Sequence, residues 1–210
     1  MINYAEVLKD AYHKQGQDDE ILNRIIKEGE RIAKIVRNLL SFARDRNEEH
    51  TPTHIKDILW DALGLVENQI IKDGIKCNKD VPPGLPVIRA RGQEIQQVFL
   101  NILSNARYAL NKKFPGPHED KILEITGETR TIQGQHVVRT TFYDHGAGIP
   151  ANILNKICNP FFTTKPKGEG TGLGLSISHG IVKNHGGRLS FESVEGEYTK
   201  VTVDLPVKNP

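Results

Sequence analysis

At 210 residues, with 37% apolar and 26% charged side chains, the chain is long enough for one ordinary domain plus a smaller element and too apolar for wholesale disorder. A net charge of +2 with a pI near 8.5 gives no basis for nucleic acid as a main partner. No run of about 18 apolar residues exists, no signal-peptide pattern opens the chain, and Cys77 and Cys158 lack metal-ligand spacing, so the expectation is a cytoplasmic segment with free thiols and no membrane contact.

Residues 2–12, with Ile2, Tyr4, Ala5, Val7 and Leu8, read as the end of a helix, and Gly16 marks a turn after it. From Asp19 to Arg46, Leu22, Ile25, Gly29, Ile32, Val36, Leu39 and Ala43 recur at three-four spacing. Ile21, Ile26, Ile35 and Leu40 widen that stripe beyond a two-stranded seam. The spacing predicts a helical hairpin over residues 1–46. A lone hairpin leaves much apolar surface wet, so a homodimer through a four-helix bundle is the expected solution. Packing against the rest of its own chain is the alternative. The polar stretch Asp45–Pro52 reads as a linker into a second domain over residues 47–210.

A third helix is predicted from Thr53 or His54 to about Ile71, with Ile55, Ile58, Leu59, Ala62, Leu65, Val66 and Ile70 on its apolar face. Short strands are expected at Ile75–Val81 and Pro86–Ala90. The helix from Gln93 to about Lys112 buries Ile95, Val98, Phe99, Ile102, Leu103, Ala106, Ala109 and Leu110 on a broad face. Glu94, Gln97, Asn101, Asn105 and Tyr108 form a narrow polar stripe opposite. Asparagine is a poor residue inside a helix, because its amide competes with the backbone. Asn101 and Asn105 at i, i+4 could share a hard cation such as Mg²⁺, which takes oxygen ligands and completes its shell with phosphates and water. An ordinary solvated face is the plainer reading of the same stripe.

Ile122–Thr129 and Gln135–Tyr143 flank Gln133-Gly134 and predict a hairpin that delivers Asp144 at its end. A second hairpin is predicted from Gly186–Ser193 and Tyr198–Leu205 about Glu195-Gly196. Between them lie two glycine clusters, Asp144-His-Gly-Ala-Gly148 and Gly168-Glu-Gly-Thr-Gly172-Leu-Gly174, the latter running into an apolar helix from Leu175. Glycine lets successive N–H groups converge on an anion, and a helix N-terminus favours phosphate. Each cluster alone also fits a tight loop, and neither matches the P-loop or the dinucleotide fingerprint. The alternation of helices with pairs of strands predicts an α+β fold, a two-layer α/β sandwich with a mixed sheet, preceded by the helical hairpin.

Together these pieces resemble sensor histidine kinases of two-component systems. Asn101-x-x-x-Asn105 is similar to their N box and Asp144-x-Gly-x-Gly148 to their first glycine box. Pro160-Phe-Phe-Thr-Thr-Lys165 is similar to the F box, and Gly170-Thr-Gly-Leu-Gly-Leu175 to the second glycine box. Helix 19–46 resembles the second helix of their dimerisation and phosphotransfer hairpin. The resemblance implies the ATP-binding fold shared with gyrase-type ATPases and chaperones, with ATP and Mg²⁺ as cofactors. It implies that Asp144 accepts a hydrogen bond from the adenine amino group, a charge-assisted bond contributing about 1.5–3 kcal/mol. Asn105 is the implied Mg²⁺ ligand, and Asn101, beside the phosphates, the implied catalytic position. Arg107 and Lys165 are candidate phosphate contacts. Gly146, Gly148, Ile149, Phe162, Thr163, Thr171 and Leu173 are implied to border the nucleotide, with Thr199 near the adenine. Gly170, Gly172 and Gly174 are implied to let a lid close over the triphosphate. Phe161 and Phe162 are expected to anchor that lid. Tyr108 stands where many relatives have a lysine, and Tyr198 where a glycine is usual, which would reshape that wall of the pocket.

The family's phosphoacceptor box, a His followed by an acid and then Asn/Thr-Pro, does not occur. His13 precedes Lys14, and the opening Met-Ile-Asn-Tyr-Ala-Glu resembles the family's segment just downstream of that box. The expectation is a fragment that binds ATP without phosphorylating itself. In the intact protein the γ-phosphoryl group would pass to a histidine and then to an aspartate on a response-regulator receiver domain. A gyrase-type hydrolytic ATPase is a second reading, disfavoured because Asn101 occupies the place of its general-base Glu. A non-enzymatic nucleotide sensor or dimerisation module is a third.

Overall fold

The computed structural model describes residues 22–23, 25–26, 28–29, 50–166 and 169–207. The chain divides into two units, Met1–Asn47 with Phe161–Leu173, and Glu48–Pro160 with Gly174–Pro210. In the first, Leu22, Asn23, Ile25, Ile26, Glu28 and Gly29 are helical, as the spacing predicts; the remainder of the expected hairpin lies outside the described residues. No helix among the described residues is long and apolar enough to cross a membrane.

The second unit runs β1 (Thr51–Thr53), α1 (Ile55–Lys72), β2 (Lys76–Asp80), β3 (Ile88–Ala90), α2 (Gly92–Lys113), β4 (Ile122–Ile132), β5 (Gln135–Asp144), α3 (Gly174–Asn184), β6 (Arg188–Val194) and β7 (Tyr198–Pro206). Five strands form a mixed sheet in the order β2-β4-β5-β7-β6. β2 and β4 are parallel, and every other neighbouring pair is antiparallel. β1 and β3 make a separate antiparallel ladder with Pro52 opposite Arg89. The sequence pattern makes Pro52 the close of a linker. It sits instead in a two-stranded edge, where a missing N–H is tolerated. Arg89 reinforces the ladder by donating from Nε and Nη2 to the His50 carbonyl at 3.2 and 2.9 Å.

Neither α1 nor α2 has a side-chain cap at its N-terminus; His54 and Arg91 hold those positions in extended backbone. Packing therefore carries the helices. Their inward faces join one core with β4, β5, β6 and β7 through Leu59, Ile95, Phe99, Ile102, Ile125, Phe142, Leu189 and Val203. Phe99 and Phe142 lie 5.4 Å apart across the two layers. Each fully buried side chain of this kind contributes about 1.5–3 kcal/mol. In α1 the inward position falls to Leu63, and Leu65 is 65% exposed, contrary to the expected face. Leu59, Leu63, Val66 and Ile70 continue a single stripe that Leu65 leaves by more than a quarter turn. α1 ends in paired bonds, Gly74 N–H to Ile71 O and Ile75 N–H to Ile70 O, both 3.0 Å, the Schellman pattern.

The sheet's far face is polar. Arg139 grips Asp204 through two bonds of 2.7 and 2.9 Å. Thr141 and Thr202 lie opposite each other in the ladder. The two-layer α/β sandwich expected from the pattern is the observed architecture.

Candidate functional site

β5 alternates Val138, Thr140, Phe142 and Asp144 toward the helices, so strand periodicity alone carries the carboxylate into the interior. Asp144 is 4% exposed and lies opposite Thr199 of β7. Gly146 N–H donates to its Oδ1 at 3.1 Å. Burial pushes the carboxyl up to about 7, against the opposing pull of the Gly146 N–H and the Lys113 charge. A carboxylate offers about four acceptor positions. A buried acid with Gly146 on one of them can take a further donor, such as an exocyclic amino group.

The loop leaving Asp144 is stitched to the β6–β7 turn. Gly196 N–H donates to Ala147 O at 2.8 Å. Ile149 N–H donates to Ser193 Oγ at 2.8 Å, and that hydroxyl donates to Tyr198 O at 2.6 Å. Thr199 Oγ1 lies 3.2 Å from the same Ser193 oxygen. Gly148 takes φ 63, and a Cβ there would overlap the Val194 carbonyl, so only glycine fits. Gly146 is required by crowding: a Cβ would meet Asp144 Oδ1 at 2.5 Å and the Ala109 backbone at 2.8 Å. The structure thus brings Asp144, Gly146, Gly148, Ile149 and Thr199 together.

On α2, Asn101 Nδ2 donates to Gly174 O and Ser178 Oγ, both at 3.1 Å. Asn101 and Gly174 are therefore neighbours, with the asparagine tying α2 to the first turn of α3. Asn105 lies one turn further on and is half-buried, as is Tyr108. Arg107, a candidate phosphate contact by resemblance, is engaged elsewhere in this structure. Its guanidinium engages Asp73 through Nε and the Gln69 carboxamide through Nη1, the latter at 2.6 Å. It stands two residues from Asn105, about 200° around the helix, which turns it toward α1 and away from the asparagine stripe. Glu94 departs from the solvated-face reading. The polar stripe placed it in water, yet it is buried, bonded to Arg91 Nη1 at 2.8 Å, with its Oε2 3.6 Å from His185 Nδ1.

Phe161–Leu173, which holds most of the F box and the first part of the second glycine box, belongs to the first unit, while Pro160, Gly174 and Leu175 belong to the second. Lys165 N–H donates to Thr163 Oγ1 at 3.1 Å, and Leu173 N–H to Thr171 Oγ1 at 3.4 Å. Phe162, Gly170 and Gly172 are half-buried. Phe161, expected to anchor the lid, is 71% exposed and adopts φ 66, a costly backbone for a bulky side chain. Tyr198 does not line a wall beside Thr199. Adjacent strand residues face opposite ways, and Tyr198 stacks on Tyr143 at 5.0 Å and donates its hydroxyl to Glu192.

A family model described as "Histidine kinase-, DNA gyrase B-, and HSP90-like ATPase" matches residues 90–209, over half of the chain. The chain belongs to this ATPase family. A second model, "His Kinase A (phospho-acceptor) domain", matches residues 1–48, and the two together are the arrangement of a sensor histidine kinase. The chain is 34% identical to "Two-component sensor PprA" of Pseudomonas aeruginosa over 91% of its own length and 20% of that protein. It is 30% identical to "Sensor protein TdiS" of Thauera aromatica over 85% of its length and 31% of that protein. The chain therefore spans a fifth to a third of these relatives. Among solved structures, the catalytic domain of histidine kinase ThkA matches 76% of this chain and 97% of that one, with 29% identity and a TM-score of 0.63.

In this histidine kinase domain, the sequence pattern does not reveal Lys113 and Ser193. Ser193 carries no signal, being one serine in an alternating strand. Lys113 reads as a routine cation in the last turn of a helix.

Proposed function

We propose that this chain is the nucleotide-binding catalytic part of a sensor histidine kinase, which in its intact parent passes the γ-phosphoryl group of ATP to a histidine and then to a receiver-domain aspartate. The observation that carries this reading is the buried carboxylate of Asp144, facing Thr199 and framed by a glycine loop with no room for side chains. Such an acid selects a base that donates an amino hydrogen, as adenine does. Phosphoryl transfer asks a protein chiefly to position and to neutralise charge. Asn101 contributes by fixing the start of α3. Gly174, at the start of that helix, is the candidate phosphate contact within the same unit.

Asn105 offers a hard carboxamide oxygen. No group of three or more His, Cys, Asp or Glu that could hold a metal ion occurs among the described residues. That donor set suits Mg²⁺, which is held by few protein oxygens when nucleotide phosphates supply the rest. When bound, Mg²⁺ would offset phosphate charge. The sequence contains no His followed by an acid and Asn/Thr-Pro, so the chain itself is not expected to become phosphorylated.

Calorimetric titration with ADP, with and without Mg²⁺, tests the site. Wild-type protein should bind in a Mg²⁺-dependent manner, and Asn105→Ala should lose that dependence while melting as the wild type does. Equal Mg²⁺ dependence in both would remove Asn105 from the site. Acid-labile phosphate appearing on the chain after incubation with ATP would refute the expected absence of self-phosphorylation.

A further inference from the structure

Lys113 closes α2, and its ammonium reaches two separate backbone segments. It donates to His145 O at 2.9 Å and to Glu197 O at 3.1 Å. His145 comes directly after Asp144. Glu197 belongs to the β6–β7 turn, whose Gly196 N–H bonds Ala147 O. The Lys113 ammonium also lies 5.2 Å from the Phe114 ring centroid, which confines the side chain further. Three chain segments thus meet on one cation: the end of α2, the loop after Asp144 and the turn before Thr199.

We propose that Lys113 is a positioning residue for the nucleotide site, an ammonium clamp that holds the loop after Asp144 against the β6–β7 turn and so aims the carboxylate at the base. The proposal rests on the reading of Asp144 as the base acceptor. Bonds from a charged donor are about twice as strong as neutral ones, and here a single side chain supplies two across a loop otherwise stitched by backbone and hydroxyl groups. The same cation faces Asp144 electrostatically. Tyr143 and His145 flank Asp144 in the chain, and Glu124, Glu192 and Glu197 act on Tyr143. Of the residues set around Asp144, Lys113 is the lysine whose charge lowers its pKa. Removing it should therefore both loosen the loop and make Asp144 harder to ionise.

The test compares full-length wild type, K113M and K113R by three readings. These are ADP affinity, the pH midpoint of the Asp144 carboxyl tracked by carbon NMR without nucleotide, and hydrogen exchange at the Gly196 amide. K113M should bind ADP about tenfold more weakly, the loss expected for a charge-assisted bond. It should also titrate Asp144 at higher pH and exchange Gly196 faster, and K113R should restore most of all three. A folded K113M with wild-type affinity and wild-type Asp144 titration overturns the proposal; if K113M does not fold, K113Q is read by the same criteria. Should wild type bind no ADP, the nucleotide reading falls. The clamp is then decided by the two nucleotide-free readings alone, unchanged values sinking it and shifted values upholding it.

Discussion

Asp144 works against the fold that holds it. Its carboxyl ordinarily titrates near 3.8 and is raised to about 7, so the folded chain holds a proton that the unfolded chain releases. Stability is then greatest below the unfolded value and declines as pH climbs from about 4 through 7, by up to about 4 kcal/mol. An adenine amino group bonds the ionised acceptor more strongly than the neutral acid. Affinity for ADP should accordingly rise with pH up to about 7 and level off above it, checked by calorimetry in buffers of different ionisation heats. Asp144→Asn separates the two effects. At pH 8 the variant should melt higher than wild type, because the buried charge is gone. Its ADP affinity should fall about 10- to 150-fold for loss of a charge-assisted bond. A variant that binds ADP as tightly as wild type would end the assignment of Asp144 to the base.

Strands and helices were legible in proportion to how strictly their patterns repeat. β4 and β5 could be read from alternation, and the Gln133-Gly134 pair, both at positive φ, fixed their register as a two-residue hairpin turn. α2 could be read from its broad apolar face. What stayed hidden was decided by partners far along the chain: Glu94 is inside because His185 is there, Arg107 points to α1 because Asp73 waits at that helix's end, and β1 exists because Arg89 is opposite Pro52. At the candidate site, the sequence pattern singles out Asp144 and its glycines, where the geometry admits few residue types. It does not single out Lys113 and Ser193, whose roles are backbone contacts with no pattern. The Arg139–Asp204 bridge between β5 and β7 belongs to the hidden class and makes a test at this scale. Asp204 is 2% exposed, and removal of its partner leaves a buried charge uncompensated. Arg139→Ala should lower unfolding free energy by about 3 kcal/mol in urea titration, at the lower end of that range because Arg139 itself reaches water. Adding Asp204→Val should recover most of the loss. If the double variant is no better than the single one, the bridge is not what stabilises the strand pair.

The helical stripe and the Asp144 carboxylate fall in different units, and this permits a test on the whole chain. Ile25 belongs to the stripe expected to be buried in a four-helix bundle, yet in the single chain it is 46% exposed. A large apolar side chain open to water in the middle of a helical stripe is the mark of a surface awaiting a partner. A second copy of the chain supplies one by symmetry, because a two-fold interface sets the same stripe against itself. Asp144, Thr199 and the glycine loop all lie in the other unit. Ile25→Glu places a charge on the apolar seam without altering any residue of the nucleotide site. Sedimentation should show wild type as a dimer at micromolar concentrations and the variant shifted to monomer, with ADP affinity unchanged. Wild type sedimenting as a monomer throughout would point to the alternative, in which the stripe is covered within one chain. A loss of ADP affinity together with the dimer would instead mean that the nucleotide site depends on association.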